Sequence, residues 1–333
     1  MDIHLAGFTV TSRISGTRSR SAVYRGYRDS DNLPVVIKTL AVEHPAREDL
    51  AQLRHEYAIL LDLKLAETAR PLGLEKLQNG LALILEEITG QSLHDLLATR
   101  RLTVLQSLTI AKSVADSLAK IHSASIVHRD INPQNIITEL GTQRTYVIDF
   151  GIAARLVHTQ EQAGAVSAMV GTLAYIAPEQ TGRMSRTVDE RADLYSLGVT
   201  LYEMLVGALP FTATDATEMI YSHIARAPIP PCEANPEISK VLSDIVMKLL
   251  AKNAEERYQS ARGLSIDLQE CIRQLKAKNT IQPFPIGAQD RSEKFHIPQH
   301  LYGREDELKT ILESCTRAFA GEKSFVTIAG YSG

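Results

Sequence analysis

The chain has 333 residues and a formal net charge of -3, from 36 Lys and Arg against 39 Asp and Glu. That length holds one large domain and part of another, and the near balance of dispersed charge argues against a nucleic-acid surface. Cys232, Cys271 and Cys315 are odd in number and far apart, which points to a reducing cytoplasm rather than a disulfide framework or a metal site.

Read in chain order, the first notable string is Gly16-Thr17-Arg18-Ser19-Arg20-Ser21-Ala22-Val23. With Arg13 nearby, this basic turn either attracts phosphate or forms a solvated hairpin tip. Pro34 and the apolar run Val35-Val36-Ile37 predict a strand that ends in Lys38. Over 49–63, Leu50, Leu53, Tyr57, Leu60 and Leu61 recur at helical spacing, and Glu56 follows Lys38 by eighteen residues. A strand over 81–85 runs into Glu86-Glu87-Ile88-Thr89-Gly90, and apolar positions between 105 and 121 predict an amphipathic helix over 104–122. No apolar run is long enough to cross a membrane, no secretory pattern opens the chain, and no two of the histidines and cysteines stand in a metal-type pair.

Three short strings follow: His128-Arg129-Asp130 with Asn135, Asp149-Phe150-Gly151, and Ala177-Pro178-Glu179. As side chains, Asp130 can accept a proton, and Asn135 and Asp149 can offer oxygen ligands to a metal ion. Further on, 193–206 is apolar nearly all round, as a buried helix should be. Asp193 opens that segment, where a plain N-cap carboxylate is one reading.

In order and spacing these strings resemble the catalytic loop, metal-binding turn and activation-segment anchor of protein kinases. Over roughly residues 8–275 the chain resembles bacterial serine/threonine protein kinases of the eukaryotic type. The resemblance implies an α+β, two-lobed fold: a β-rich N-lobe over 8–87, a hinge at 86–90 and a helical C-lobe over 91–275. It implies that Lys38, held by Glu56, grips the phosphates of ATP, with Ile14, Gly16, Val23, Glu86 and Ile88 around the nucleotide. Asn135 and Asp149 would hold Mg2+, and Asp130 would serve as base. Asp193 resembles the helix-starting Asp that binds the catalytic-loop backbone, and Arg257 the partner of Glu179. Pro133 and Gly171-Thr172 favour the serine/threonine class, so the expected substrate is a protein hydroxyl.

Two departures stand out. The nucleotide loop keeps only Gly16 and Val23 of its usual pattern, with Arg18 and Ser21 where glycine is expected. Asn132 stands where serine/threonine kinases carry Lys, and loss of a preorganised charge can cost on the order of 3 kcal/mol. Asn132 either slows transfer for lack of charge or belongs to a shaped network in its subfamily. Arg129 either pairs with a phosphate on Thr159 or Ser167 or braces the loop through backbone carbonyls.

The stretch 276–298, with Pro283, Pro285 and Pro298, is expected to be a linker. Beyond it, Tyr302-Gly303-Arg304-Glu305, a helix over 306–320, a strand over 324–329 and Gly330-Tyr331-Ser332-Gly333 suggest that 299–333 starts a P-loop ATPase domain. The combination resembles large bacterial signalling proteins in which a kinase precedes a regulatory ATPase, often with sensor and histidine-kinase domains. The chain is thus expected to be the N-terminal portion of such a protein. Transfer to serine or threonine is the expected function; the alternative is an ATP-binding scaffold that regulates the following ATPase.

Overall fold

Side chains alternate along a strand, so each strand of a covered sheet serves two cores at once. The computed structural model describes residues 5–15, 21–42, 45–77, 80–155, 172–184, 186–292, 305–319, 321, 323 and 325–327. The chain forms two units, 1–292 and 293–333.

The first unit opens with strands β1 (Phe8–Ser15), β2 (Ser21–Arg28) and β3 (Leu33–Leu40), helix α1 (Arg47–Leu63), then β4 (Pro71–Leu77) and β5 (Gly80–Glu86). The five strands form one antiparallel sheet in the order β1-β2-β3-β5-β4. Ala22, Tyr24, Val35, Ile37, Ala82 and Ile84 share one face and, with Leu5, make a small outer core. The alternate residues Leu83 and Leu85 join the main core, with Val36 packed against it. Lys38 lies on this second face, two residues along from Val36.

Helix α1 starts two residues before the expected segment. It buries Leu53, Glu56, Ile59, Leu60 and Leu63. Leu61, one step of about 100° beyond Leu60, is exposed instead, so it is not part of the buried stripe.

The helical lobe begins with the short strand β6 (Gln91–Ser92), α2 (Leu93–Thr99) and α3 (Val104–Ser123). Thr103 and Gln106 close a reciprocal capping box at the start of α3. The short strands β7 (Ile126–Val127), β8 (Ile136–Glu139), β9 (Arg144–Val147) and β10 (Ala154–Arg155) then frame the loop around Asp130 and Asp149. Helix α4 (Arg191–Val206) runs through the centre of the lobe, buried along nearly its whole length. Helices α5 (Ala216–Ala225), α6 (Pro231–Ala234), α7 (Lys240–Leu249) and α8 (Ala261–Lys278) complete the unit. A Cβ at Gly198 would fall 2.6 Å from the Leu249 side chain, so glycine there lets α4 and α7 approach.

The expected linker differs from its sequence reading. Residues to Lys278 are still helical, and Ile281, Phe284 and Ile286 pack against the main core. Gly287 N donates to Asp267 at 2.6 Å, and the Asp290 carboxylate accepts from Gln259 N at 2.7 Å, Ser260 N at 3.0 Å and Ser260 Oγ at 2.9 Å. The strap's apolar residues thus cover a surface of the first unit.

The second unit contains α9 (Glu305–Phe319). Residues 325–327 carry no strand, and 328–333, with the Gly-rich turn, lie outside the described residues. No helix among the described residues is long and apolar enough to cross a membrane.

Gly263 is the tightest point of the strap's seat: a Cβ there would lie 2.4 Å from Asp290 Oδ1 and 2.7 Å from its Cα. Gly263→Val should therefore destabilise the first unit by about 2–3 kcal/mol through overpacking. The check is a lower urea midpoint with unchanged slope; a wild-type midpoint would mean that the strap moves aside without cost.

Candidate active site

The pairing register carries Lys38 to the middle of the sheet, opposite Val23 on β2 and Leu83 on β5. Its side chain is almost fully buried, and its Nζ lies 2.8 Å from Glu56 Oε2 and 2.7 Å from Asp149 Oδ1. Burial alone would push the ammonium down, but the two carboxylates outweigh it and hold Lys38 above its usual value. Burial likewise pushes Asp149 up, yet Lys38 and the Gly151 amide win, leaving it below the usual carboxylate range. Glu56, deepest of the three, is raised by burial despite Lys38.

Asp149 sits at φ 66, in the left-handed region, where a non-glycine residue costs of order 1 kcal/mol or more. The turn is held by Gly151 N, which donates back to Asp149 Oδ1 at 3.2 Å. The Asp149 side chain is 40% exposed, so its second oxygen opens to the cleft.

Asp130 lies across the cleft floor in a ring of amides. Its Oδ1 accepts from Asn132 Nδ2 and its Oδ2 from Asn135 Nδ2, both at 2.8 Å. Burial raises its pKa, and the nearby Asp149 charge adds to that. Asn132 also caps the 3-10 turn Pro133–Asn135, its Oδ1 accepting from Gln134 N at 2.9 Å and Asn135 N at 3.3 Å. Pro133 suits such a turn because it has no N–H to satisfy. Asn135 returns its backbone carbonyl to Ile148 N at 2.9 Å, tying this loop to the residue before Asp149.

The loop's other side rests on Asp193. That fully buried carboxylate accepts from His128 N at 2.9 Å and Arg129 N at 2.7 Å, with His122 Nε2 at 2.8 Å. The N-cap reading does not hold: the cap of α4 is Glu190, which makes no side-chain cap bond. Asp193 is the third helical residue, and its side chain is spent on the catalytic loop. Arg129, at φ 68, has its carbonyl taken by Gln180 Nε2 at 2.8 Å. Arg257 grips Glu179 through two bonds of 2.6 and 2.9 Å, both side chains buried, and spends its remaining donors on the carbonyls of Ala251, Lys252 and Arg191.

Of the residues expected around a nucleotide, Ile14 is 46% exposed on β1 and Val23 half-buried on β2. Glu86 pairs with Arg70 and its neighbour Glu87 with Arg25, so these side chains brace the hinge, and Ile88 follows beyond the strand. Gly16, Arg18, Arg20, Thr159, Ser167 and Gly171 lie outside the described residues. No pattern in the sequence points to His122, to Gln180 or to the His128 ring, which is buried edge-on to Phe150 with centroids 4.7 Å apart. Only the position of His128 inside its motif could have flagged it.

Compared with known proteins, residues 10–268 match the family described as protein kinase domain. The chain is 40% identical over 182 residues to hybrid signal transduction histidine kinase G of Dictyostelium discoideum, covering 49% of this chain and 5% of that protein. It is 35% identical over 187 residues to serine/threonine-protein kinase PknB of Mycobacterium tuberculosis, covering 56% and 29%. A probable serine/threonine-protein kinase of Streptomyces coelicolor is 35% identical over 191 residues, covering 57% and 28%. The matched part thus spans less than a third of each of these relatives.

Glu179→Ala would leave the Arg257 guanidinium buried without its counter-charge, which should cost about 3–5 kcal/mol. Chemical denaturation of the variant checks this, and a loss below about 1 kcal/mol would show that the pair does not anchor the lobe.

Proposed function

The chain belongs to the protein kinase family, and from that premise we propose that it transfers the γ-phosphoryl group of ATP to a serine or threonine hydroxyl of a protein substrate. The observation that carries this reading is Lys38, whose ammonium meets the Glu56 and Asp149 carboxylates together, at 2.8 and 2.7 Å. A cation so placed, on the cleft face of the sheet, is set to grip phosphate oxygens while Glu56 keeps it aimed.

The donors fit Mg2+, a hard cation that prefers oxygen ligands. Asp149 keeps one carboxylate oxygen clear of Lys38, and Asn135 spends its amide nitrogen on Asp130, which leaves its amide oxygen for the ion. When bound, Mg2+ neutralises charge on the transferring phosphate. Asp130 receives the substrate proton, and the Asn132 and Asn135 amides keep its carboxylate oriented. Ile14, Gly16 and Val23 would cover the nucleotide, and backbone groups at Glu86 and Ile88 would meet the adenine.

The proposed domain plan keeps 8–275 as the kinase, with the 281–290 strap folded onto it, and 299–333 as the start of a P-loop ATPase in a multidomain cytoplasmic signalling protein. Support comes from the histidine-kinase relative, of which the matched kinase region is a small part.

Asp130→Ala and Asp149→Ala should each abolish transfer from radiolabelled ATP with the fold intact by circular dichroism. Wild-type activity in Asp149→Ala would remove the metal assignment. If neither the parent nor its variants transfer phosphate while the parent binds ATP, the scaffold reading stands instead.

Asn132→Lys should leave turnover unchanged or lower it, because Lys cannot accept from Gln134 N and Asn135 N. Faster turnover at saturating ATP would show that missing charge limits the enzyme. A base that must be ionised loses activity as pH falls through its pKa. With the Asp130 value raised by burial, the acid limb of kcat/KM should lie above pH 3.8, the ordinary Asp value. A limb at or below that pH would contradict the base assignment.

A further inference from the structure

After the Phe150-Gly151 turn, the chain runs between two fixed elements. His55, the residue before Glu56 on α1, places Nε2 2.7 Å from the Ala153 carbonyl oxygen. A carbonyl can only accept, so Nε2 carries the proton in this contact. Two turns along α1, Asp62 pairs with Arg155. On the other side, Ala154 and Arg155 pair as β10 with Val127 and Ile126 of β7, the strand that leads into His128. Residues 153–155 are thus held by the helix that carries Glu56 and by the strand that precedes the catalytic loop.

The placement has a chemical consequence. Glu56 adjoins His55, and Asp149 lies four residues before Ala153. Both carboxylates must reach the same ammonium, although one rides on α1 and the other on a turn in the left-handed region. The Glu56 carboxylate faces the Phe150 amide of the turn, and the bond from His55 to the Ala153 carbonyl adds a second tie, from the helix to the backbone just past it.

We propose that His55 is a positioning residue for phosphoryl transfer: its bond to Ala153 couples the seat of α1 to the segment after Asp149. Glu56 and Asp149 are thereby held on Lys38 together. This rests on the transfer activity proposed above. The Asp62–Arg155 pair is the weaker half of the clasp, with side chains 60% and 48% exposed, and exposed ion pairs contribute little. His55 is aimed at a backbone atom, so only one of its two groups is a mobile side chain.

The test uses the 333-residue chain with His55→Ala, His55→Gln and His55→Glu. Gln offers an amide Nε2 donor at similar reach, while Glu turns an acceptor towards the carbonyl. Transfer to β-casein, thermal midpoint and hydrogen exchange of the amides of 152–155 and α1 are measured on each. Loss of one net hydrogen bond should lower kcat about three- to tenfold in the Ala and Glu variants. Their midpoints should stay near wild type, exchange at 152–155 should quicken, and Gln should restore both activity and protection. Wild-type kcat and exchange in His55→Ala, or a Gln variant as impaired as Ala, would overturn the proposal. Should the parent itself fail to transfer, matching its Asp130→Ala control, the function reading fails separately. Exchange then decides the coupling alone: unchanged protection at 152–155 and α1 in His55→Ala overturns it.

Discussion

A carboxylate removed from water costs several kcal/mol unless its lone pairs are filled, and the catalytic half of this molecule is built around one that is. Asp193 is fully buried in the central helix of the lobe. Burial pushes its pKa up, but the bonds from His122 and the His128 amide more than reverse that, so it stays ionised. Its two oxygens take successive backbone amides, His128 and Arg129, which leaves that stretch of loop little freedom to rotate. Asp130 follows directly, and the left-handed Arg129 aims it into the cleft. Remove the carboxylate and two buried amides lose their acceptor, each at a cost of about 1–3 kcal/mol.

The cleft is the electrostatic complement of that arrangement. One ammonium stands between two carboxylates, so the three groups carry one excess negative charge. Asn132 fits the same logic. Its amide is used twice, once to cap the turn beside Asp130 and once to hold the Asp130 carboxylate, and a lysine could do neither in the same way.

Much of this could be read from the residues alone. The three strings lie in the order in which the structure brings them together, and Arg257 meets Glu179 as expected. The α3 and α4 helices appear within two residues of their expected bounds, because apolar periodicity reports directly on which face is buried. What stayed hidden depends on contacts distant in sequence. His122 and Asp193 are separated by 71 positions, and no local pattern links them. The strap resembles a linker in sequence because prolines signal irregular backbone and say nothing of what that backbone covers. Leu61 matches a helical spacing without belonging to the buried stripe, because Ile59 and Leu60 already face the core and one further step of about 100° carries Leu61 out of it. In the second unit the helix over 305–319 lies within one residue of the expected 306–320. Residues 325–327 have strand-like composition but form no ladder among the described residues.

The seat of the strap also defines how mechanical load would enter the lobe. Three donors on two adjacent residues, Gln259 and Ser260, converge on the single carboxylate of Asp290. Bonds that share one acceptor group bear tension in parallel, so they resist as a set and give way as a set. Gln259 in turn accepts from Arg191 and lies two residues past Arg257. A pull along the strap at Asp290 is therefore passed to the neighbourhood of the Glu179–Arg257 pair, the buried clamp on the segment that ends in Ala177-Pro178-Glu179.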